Sequence, residues 1–330
     1  ILSVEIYFVF YQAFKMISST GQIDSGGLTG VTANRNIAAF SIALKIPFVL
    51  YLSIKSKTIK FKTLWFLLTT FSIMGLLIIQ SRASYLALGM ITVAFSVIPY
   101  IFFKENTSFQ KIRIFLLVFL PLLLSITANK IFFASKGADA ISRASTISFS
   151  TNDGSVNQRL RYYSHVLTHL KSNPILGVGL GNWKFKSIEY DKENMNGYVV
   201  PYHAHSDFIQ IGAELGLFGF FSYLGIFILA VFLSLKLLLN PKFQRNKKLF
   251  IYLILTSLGV YVIDANLNFP IARPQVITMW ALIIGMISFY YNSSLEKIKI
   301  KKIITKNKIN FFALLILIGL ASIPISYKVY

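Results

Sequence analysis

The chain has 330 residues, 55% hydrophobic and 15% aromatic, and carries 33 lysines and arginines against 12 acids for a formal net charge of +21. A soluble core cannot hide that much apolar surface, so a soluble enzyme is excluded, and the basic excess reads as loops holding topology at an anionic membrane face rather than as a footprint for nucleic acid. The lack of cysteine excludes disulfides, thiolate catalysis and sulfur-ligated metals.

In chain order the apolar runs predict nine membrane spans, at 1–17, 36–54, 63–80, 83–103, 112–134, 208–239, 249–263, 275–292 and 311–327. Their lengths lie near the ~20 residues that a helix needs to cross ~30 Å of hydrocarbon. The run at 208–239 is longer, as expected of a tilted helix or one partly outside the bilayer. The segments lack the alternation of barrel strands, so the fold class is all-α, a polytopic transmembrane helix bundle. The first residue, Ile1, already lies in an apolar run, so residues 1–330 read as a single integral membrane domain in fragment form. A polar interruption at 135–205 reads as an external loop containing short helices and carrying part of the site.

Lysines alternate between connections. Lys55, Lys57, Lys60 and Lys62 fill one, with Lys104, Lys111 and Arg113 on the next of that side. Lys236, Lys242, Arg245, Lys247 and Lys248 follow, then Lys297, Lys299, Lys301, Lys302, Lys306 and Lys308. The positive-inside rule assigns these loops to the cytoplasm. Loop 135–205, the turn at Ser81–Arg82 and the segment Asp264–Pro274 are then expected outside. Six of the eight arginines (Arg35, Arg82, Arg143, Arg159, Arg161 and Arg273) share that outer side. Arginine offers a planar fork of donors suited to phosphate, so an anionic, phosphorylated ligand is indicated. The competing reading is ion pairing with Asp139, Asp153, Glu189 or Asp191; for Arg35 and Arg143 it is the preferred one.

Within the loop, residues 156–172 have apolar positions at 156, 160, 163, 167 and 170, which predicts a helix lying with that face on the bundle. Ser155 or Asp153 would cap it, and Pro174 would stop it. Arg159 and Arg161 project from its first turns, toward a ligand or snorkelling at headgroup level. His165 and His169 share a helix face and, with His203 and His205, offer four imidazoles to a metal; without a carboxylate partner the spacing is weak evidence, and no metal is expected. GVGLGNW at 177–183 imitates a dinucleotide fingerprint, but no strand precedes it, so a tight turn is predicted. His205 enters the next apolar run beside Asp207 and above Glu214. With an ordinary pKa near 6.5 it accepts a proton at neutral pH; the alternative role is anchoring the helix end.

Three blocks carry a resemblance: SRASYLALGM (81–90), RLRYYSHVLTHLKSNPILGVGLGNW (159–183) and HAHSDFIQIGAELGLFG (203–219). In this order, with the long loop, they resemble the O-antigen ligase and O-antigen polymerase superfamily over roughly residues 30–290. Arg82 matches that family's first essential arginine, Arg159 the second (Arg161 being the alternative), and His205 the essential histidine. Ser206 stands where the family has asparagine, and Tyr163 where it often has tryptophan. The resemblance implies a GT-C-like bundle whose amino-terminal spans precede this sequence.

It further implies a metal-independent, inverting glycosyltransferase without cofactor, in the bacterial cytoplasmic (inner) membrane with its site facing the periplasm. The donor would be an undecaprenyl-pyrophosphate-linked glycan, and the acceptor a lipid A core, a glycan or a protein hydroxyl, among membrane lipids and with no nucleic acid. His205, Arg82 and Arg159 are the catalytic candidates. Arg161, Arg273, His203 and Tyr163 are the substrate-binding ones. Polymerase or protein O-oligosaccharyltransferase chemistry, transport of an anionic lipid or polysaccharide, and a structural scaffold are the alternatives.

Overall fold

The computed structural model describes residues 1–103, 107–147, 154–195 and 201–299, with side chains through Leu295. The predicted span 311–327, the candidate cap Asp153, Lys104 and the lysines from Lys301 onward lie outside the described residues. The chain divides into two compact units, Ile1–Ile287 and Ser288–Tyr330. Among the described residues every regular element is helical: α1 (Leu2–Thr20), α2 (Arg35–Ala43), α3 (Ile46–Lys55), α4 (Ile59–Ile79), α5 (Arg82–Phe102), α6 (Ser108–Ala128), α7 (Ala140–Ser145), α8 (Gly154–Ser172), α9 (Trp183–Asp191), α10 (Asp207–Leu239), α11 (Arg245–Leu267) and α12 (Pro274–Lys299).

The protein is a polytopic helical membrane bundle. Seven of the predicted spans fall on helices long and apolar enough to cross a bilayer, with α2 and α3 together making one of them. The run at 1–17 is helical as α1 but is not among these seven, because Glu5, Gln12 and Lys15 dilute it. Local sequence sets the boundaries. The Asn34 side chain caps α2 by accepting from the Asn36 and Ile37 N–H groups. Pro47, which has no N–H to offer Ala43, sits in the first turn of α3 and divides it from α2. Large apolar side chains such as Val93, Leu123, Phe221 and Ile228 stand exposed on the outward helix faces. On a soluble protein they would be an aggregation hazard; here they meet lipid.

Lys45, the mid-span charge, lies at the α2–α3 break and is buried with Glu5 of α1. Its ammonium donates to both Glu5 carboxylate oxygens at 3.0 Å, to the Ser41 carbonyl at 2.7 Å and to the Ser41 hydroxyl at 2.8 Å. Such a pair is tolerated because every donor finds an acceptor, and it is costly to break from one side. Lys45→Met is therefore expected to destabilise the bundle by about 3–5 kcal/mol, and Glu5→Gln/Lys45→Met to recover most of the loss. Unfolding midpoints in detergent measure both; a double variant no better than the single one would refute the coupling.

The lysine-bearing helix ends gather together. Lys55 hydrogen-bonds Asn246, the Arg245 guanidinium lies over the Phe103 ring at 5.1 Å, and Lys62 and Arg113 border one cavity. The arginine-bearing ends gather separately.

Candidate functional site

The turn that follows α8 is positioned by one backbone device. α10 is broken at Gly216, whose φ of 67° is non-helical. The turn after α8 docks into this break. Leu217 N–H donates to the Pro174 carbonyl at 2.8 Å, Val178 N–H to Ala213 at 3.0 Å and Gly179 N–H to Glu214 at 2.8 Å. The buried Glu214 carboxylate accepts from Gly181 N–H at 2.9 Å and from the Gln210 amide at 3.1 Å. The glycine-spaced stretch is thus a turn, as predicted, and its glycines allow backbone to lie on backbone. A Cβ at Gly177 would come within 2.5 Å of the Ala213 carbonyl, and one at Gly216 would overlap the Ile175 carbonyl. Gly177→Ala and Gly216→Ala should each cost about 3 kcal/mol in thermal unfolding, while Gly225→Ala, facing open space, should cost nothing.

α8 packs on α9 and α10 with a different face from the predicted one. Its buried stripe is Tyr162, Val166 and His169, whereas Leu160 and Leu167 are 46% and 59% exposed. The His169 ring finds partners inward in Trp183 and Tyr190 and the Tyr162 ring in His205, and Leu160 and Leu167 are left facing outward, as suits a helix at a lipid boundary.

Beneath α8 lies a cavity of about 290 Å³. Arg35 of α2, Arg82 of α5, Arg143 of α7 and Arg159 of α8 all line it, with Tyr163, Leu86 and Leu267. Arg82 Nη1 donates to the Thr146 carbonyl at 3.1 Å. Arg159 donates through Nε to the Leu267 carbonyl at 3.2 Å and through Nη1 to the Ser155 hydroxyl at 2.6 Å. Arg35 Nη1 reaches the Ser25 hydroxyl at 3.0 Å, and Arg143 Nε the Gln80 carbonyl at 3.1 Å. Four guanidinium groups from four sequence segments thus surround one space with apolar walls. A phosphorylated, lipid-linked ligand matches both features.

His205 stands at the edge of this arrangement. Its backbone is left-handed, with φ 58°, just before the Ser206 hydroxyl caps α10. A non-glycine residue held there is strained, and such strain gathers at functional sites. Tyr163, a wall of the cavity, places its hydroxyl 3.2 Å from the His205 carbonyl and 3.0 Å from that of Asn266. The imidazole stacks on Tyr162 at 6.0 Å and meets the edge of Phe269 at 5.5 Å. Its Nδ1 is buried with no hydrogen-bond partner among the described residues. Burial, then the positive charge of Arg159, then His203, push its pKa down to about 4. The ordinary value near 6.5 expected from the sequence gives way to a ring that stays neutral through mild acid.

His203 stacks on Phe269 at 4.0 Å and pairs through Nδ1 with Gln210 at 3.3 Å. Arg273 covers Phe269 at 5.1 Å, and its Nε is buried without a partner among the described residues. Asp207, fully buried, holds this segment by accepting from Ile271 N–H at 3.0 Å. Arg161 goes elsewhere. It is paired with the buried Asp191 carboxylate at 2.9 Å, one of the loop acids considered from the sequence, and it is absent from the cavity wall. His165 lies 3.8 Å from the same carboxylate. The four histidines therefore fall into two groups, and among the described residues no three His, Asp or Glu side chains come together as metal ligands. Arg35 and Arg143, for which the sequence favours ion pairing, are the further arginines that the cavity wall contains. Their place at the same end of the bundle was readable, but their meeting at one cavity depends on how α2 and α7 fold back.

Residues 66–224 match the family model described as O-antigen ligase. All three blocks of the resemblance lie inside that stretch, so the resemblance holds. No curated protein matches the chain.

Proposed function

We propose, for a chain whose residues 66–224 match the O-antigen ligase family model, that the arginine-lined cavity holds the pyrophosphate of a lipid-linked glycan and that the protein transfers this glycan to an acceptor hydroxyl. The observation that carries the reading is the meeting of Arg35, Arg82, Arg143 and Arg159 around one space beside His205. The acceptor oxygen bonds to the anomeric carbon from the face opposite the lipid, which inverts that centre. The bond from that carbon to the pyrophosphate oxygen breaks, and the electron pair leaves with the lipid pyrophosphate. The acceptor proton passes to the His205 imidazole. Fixed guanidinium charges stabilise the departing anion, the part that a divalent cation plays elsewhere. Tyr163 and Phe269 fix the ring of His205 and its backbone, while Arg273 and His203 form the adjoining wall.

The donor is an undecaprenyl-pyrophosphate-linked glycan, and the site faces the periplasm of the inner membrane. The decisive experiment is a product assay on purified protein with labelled lipid-linked glycan and lipid A core, glycan and protein acceptors in parallel. Transfer to one of them, unaffected by EDTA and with inverted stereochemistry, is the expected result. Binding of donor with no transfer to any acceptor would favour transport of the same anionic lipid.

Orientation has its own test. In this cysteine-free chain, Gln158→Cys should react with a membrane-impermeant maleimide in intact cells, and Thr58→Cys should not. The reverse pattern would put the cavity on the wrong face for this reaction.

A further inference from the structure

The lysine-bearing end of the bundle holds a second cavity, of about 460 Å³, between α3, α4, α6 and the end of α5. Its walls are mostly apolar, with Phe66, Ile114 and Leu117 among them, and its charged lining is cationic, Lys62 from the first turn of α4 and Arg113 from α6, beside the neutral Gln110, Thr63, Ser53 and Ser56. These two cations differ from Lys45 and Arg161 in their pairing. Lys45 and Arg161 each face a carboxylate, whereas among the described residues neither Lys62 nor Arg113 has an ion-pair partner. α4 and α6 both begin at this end, so the positive ends of two helix dipoles reinforce the side-chain charges. No side chain caps the start of α4, which leaves N–H groups there for an outside acceptor. Ile59 and Ile112 stand exposed on the same two helices, on surface that a bilayer would cover.

We propose that this cavity binds an anionic glycerophospholipid of the leaflet at the lysine-bearing end. Its phosphate lies between Lys62 and Arg113, and an acyl chain lies against Phe66 and Leu117. The charge pattern selects the head group. A zwitterionic head brings its own cation to two that are already unpaired, whereas a phosphatidylglycerol head brings net negative charge only. The apolar lining selects a lipid over a free anion. This site is remote from the arginine-lined cavity and shares no residue with it, so the proposal stands independently of the transfer reaction.

The test uses the whole protein in detergent, titrated with phosphatidylglycerol, phosphatidylcholine or inorganic phosphate, with bound lipid counted by native mass spectrometry and stability read as the unfolding midpoint. Phosphatidylglycerol should be retained and should raise the midpoint; phosphatidylcholine and phosphate should do neither. In Lys62→Gln/Arg113→Gln the retained phosphatidylglycerol should weaken by about tenfold or more, as two surface charges warrant. Lys242→Gln/Lys248→Gln, which removes the same charge away from the cavity, should leave it unchanged. Equal retention of both lipids, an equal loss in the two double variants, or reproduction of the effect by phosphate alone would each overturn the assignment. Should the first double variant fold poorly, Leu117→Trp, which fills the cavity and keeps both charges, must displace the lipid for the proposal to survive.

Discussion

Arg159→Lys is expected to lower glycan transfer about ten- to hundredfold while the protein still inserts and folds, and Arg82→Lys to do the same. A bidentate charge-assisted pair with phosphate is worth on the order of 1.5–3 kcal/mol, and lysine keeps the charge but loses the fork. Geometry sharpens the expectation for Arg159. Its Nε and Nη1 already hold the Leu267 carbonyl and the Ser155 hydroxyl, so the guanidinium is aimed by its own side chain. An ammonium has no such rigid plane to be aimed. Arg161→Lys supplies the contrast, because a point charge still pairs with Asp191 and most of the activity should remain. Initial rates with labelled donor, read beside a binding assay, separate the cases. Full activity in both Arg82→Lys and Arg159→Lys would reduce these residues to generic positive charge.

His205→Ala is expected to reduce transfer by about 10²–10⁴-fold while donor binding is kept, since the arginines hold the pyrophosphate. The pH dependence follows from the depressed pKa. The neutral imidazole is the active form, so activity is lost as pH falls through the pKa of the ring, not as it rises. With burial and Arg159 holding that pKa near about 4, kcat/KM should stay flat through the neutral range and fall only on approach to that value. Bound pyrophosphate offsets the charge of Arg159 and makes the ring more basic. The acid limb of kcat should therefore lie higher than that of kcat/KM. Arg159→Gln should move the kcat/KM limb upward, whatever activity remains. A His205→Ala protein transferring at the normal rate, or an acid limb indifferent to Arg159, would take the histidine out of the proton transfer. Inhibition by EDTA reversed by zinc would bring the histidine–metal reading back.

Much of this architecture is legible in the sequence because lipid simplifies the pattern. Span length and lysine alternation depend on local composition, and seven predicted spans lie on long apolar helices. Arg82 and Arg159, singled out by two of the three sequence blocks, both line the one cavity. Features that depend on side-chain direction were less legible. The buried stripe of α8 runs through Tyr162, Val166 and His169 because Tyr162 stacks on His205, Val166 clusters with Trp183 and Ala213, and His169 meets Trp183 and Tyr190, and hydropathy favoured the leucines instead. That Arg35 and Arg143 line the cavity was not legible, because their place in its wall is created by distant backbone. The low pKa of His205 arises from an enclosure of Tyr162, Phe269 and Arg159, which no single stretch of sequence contains.

The break in α10 also bears on how the molecule is made. Chain synthesis delivers Pro174–Gly181 before residues 207–217 exist, so the turn leaves the ribosome without the surface it will bond. The N–H groups of Val178 and Gly179 wait for carbonyls that arrive only when the next membrane helix does. That helix in turn reaches the bilayer with its ladder interrupted at Gly216, and Leu217 N–H is satisfied by Pro174, already made. Closure of this turn is therefore a late event in biogenesis, coupled to insertion of α10. A chain stalled before Leu217 would hold Arg82 and Arg159 with the turn still undocked, and the Leu267 carbonyl that aims Arg159 and the Phe269 ring beside His205 come later still, so the site is completed only when the end of α11 is in place.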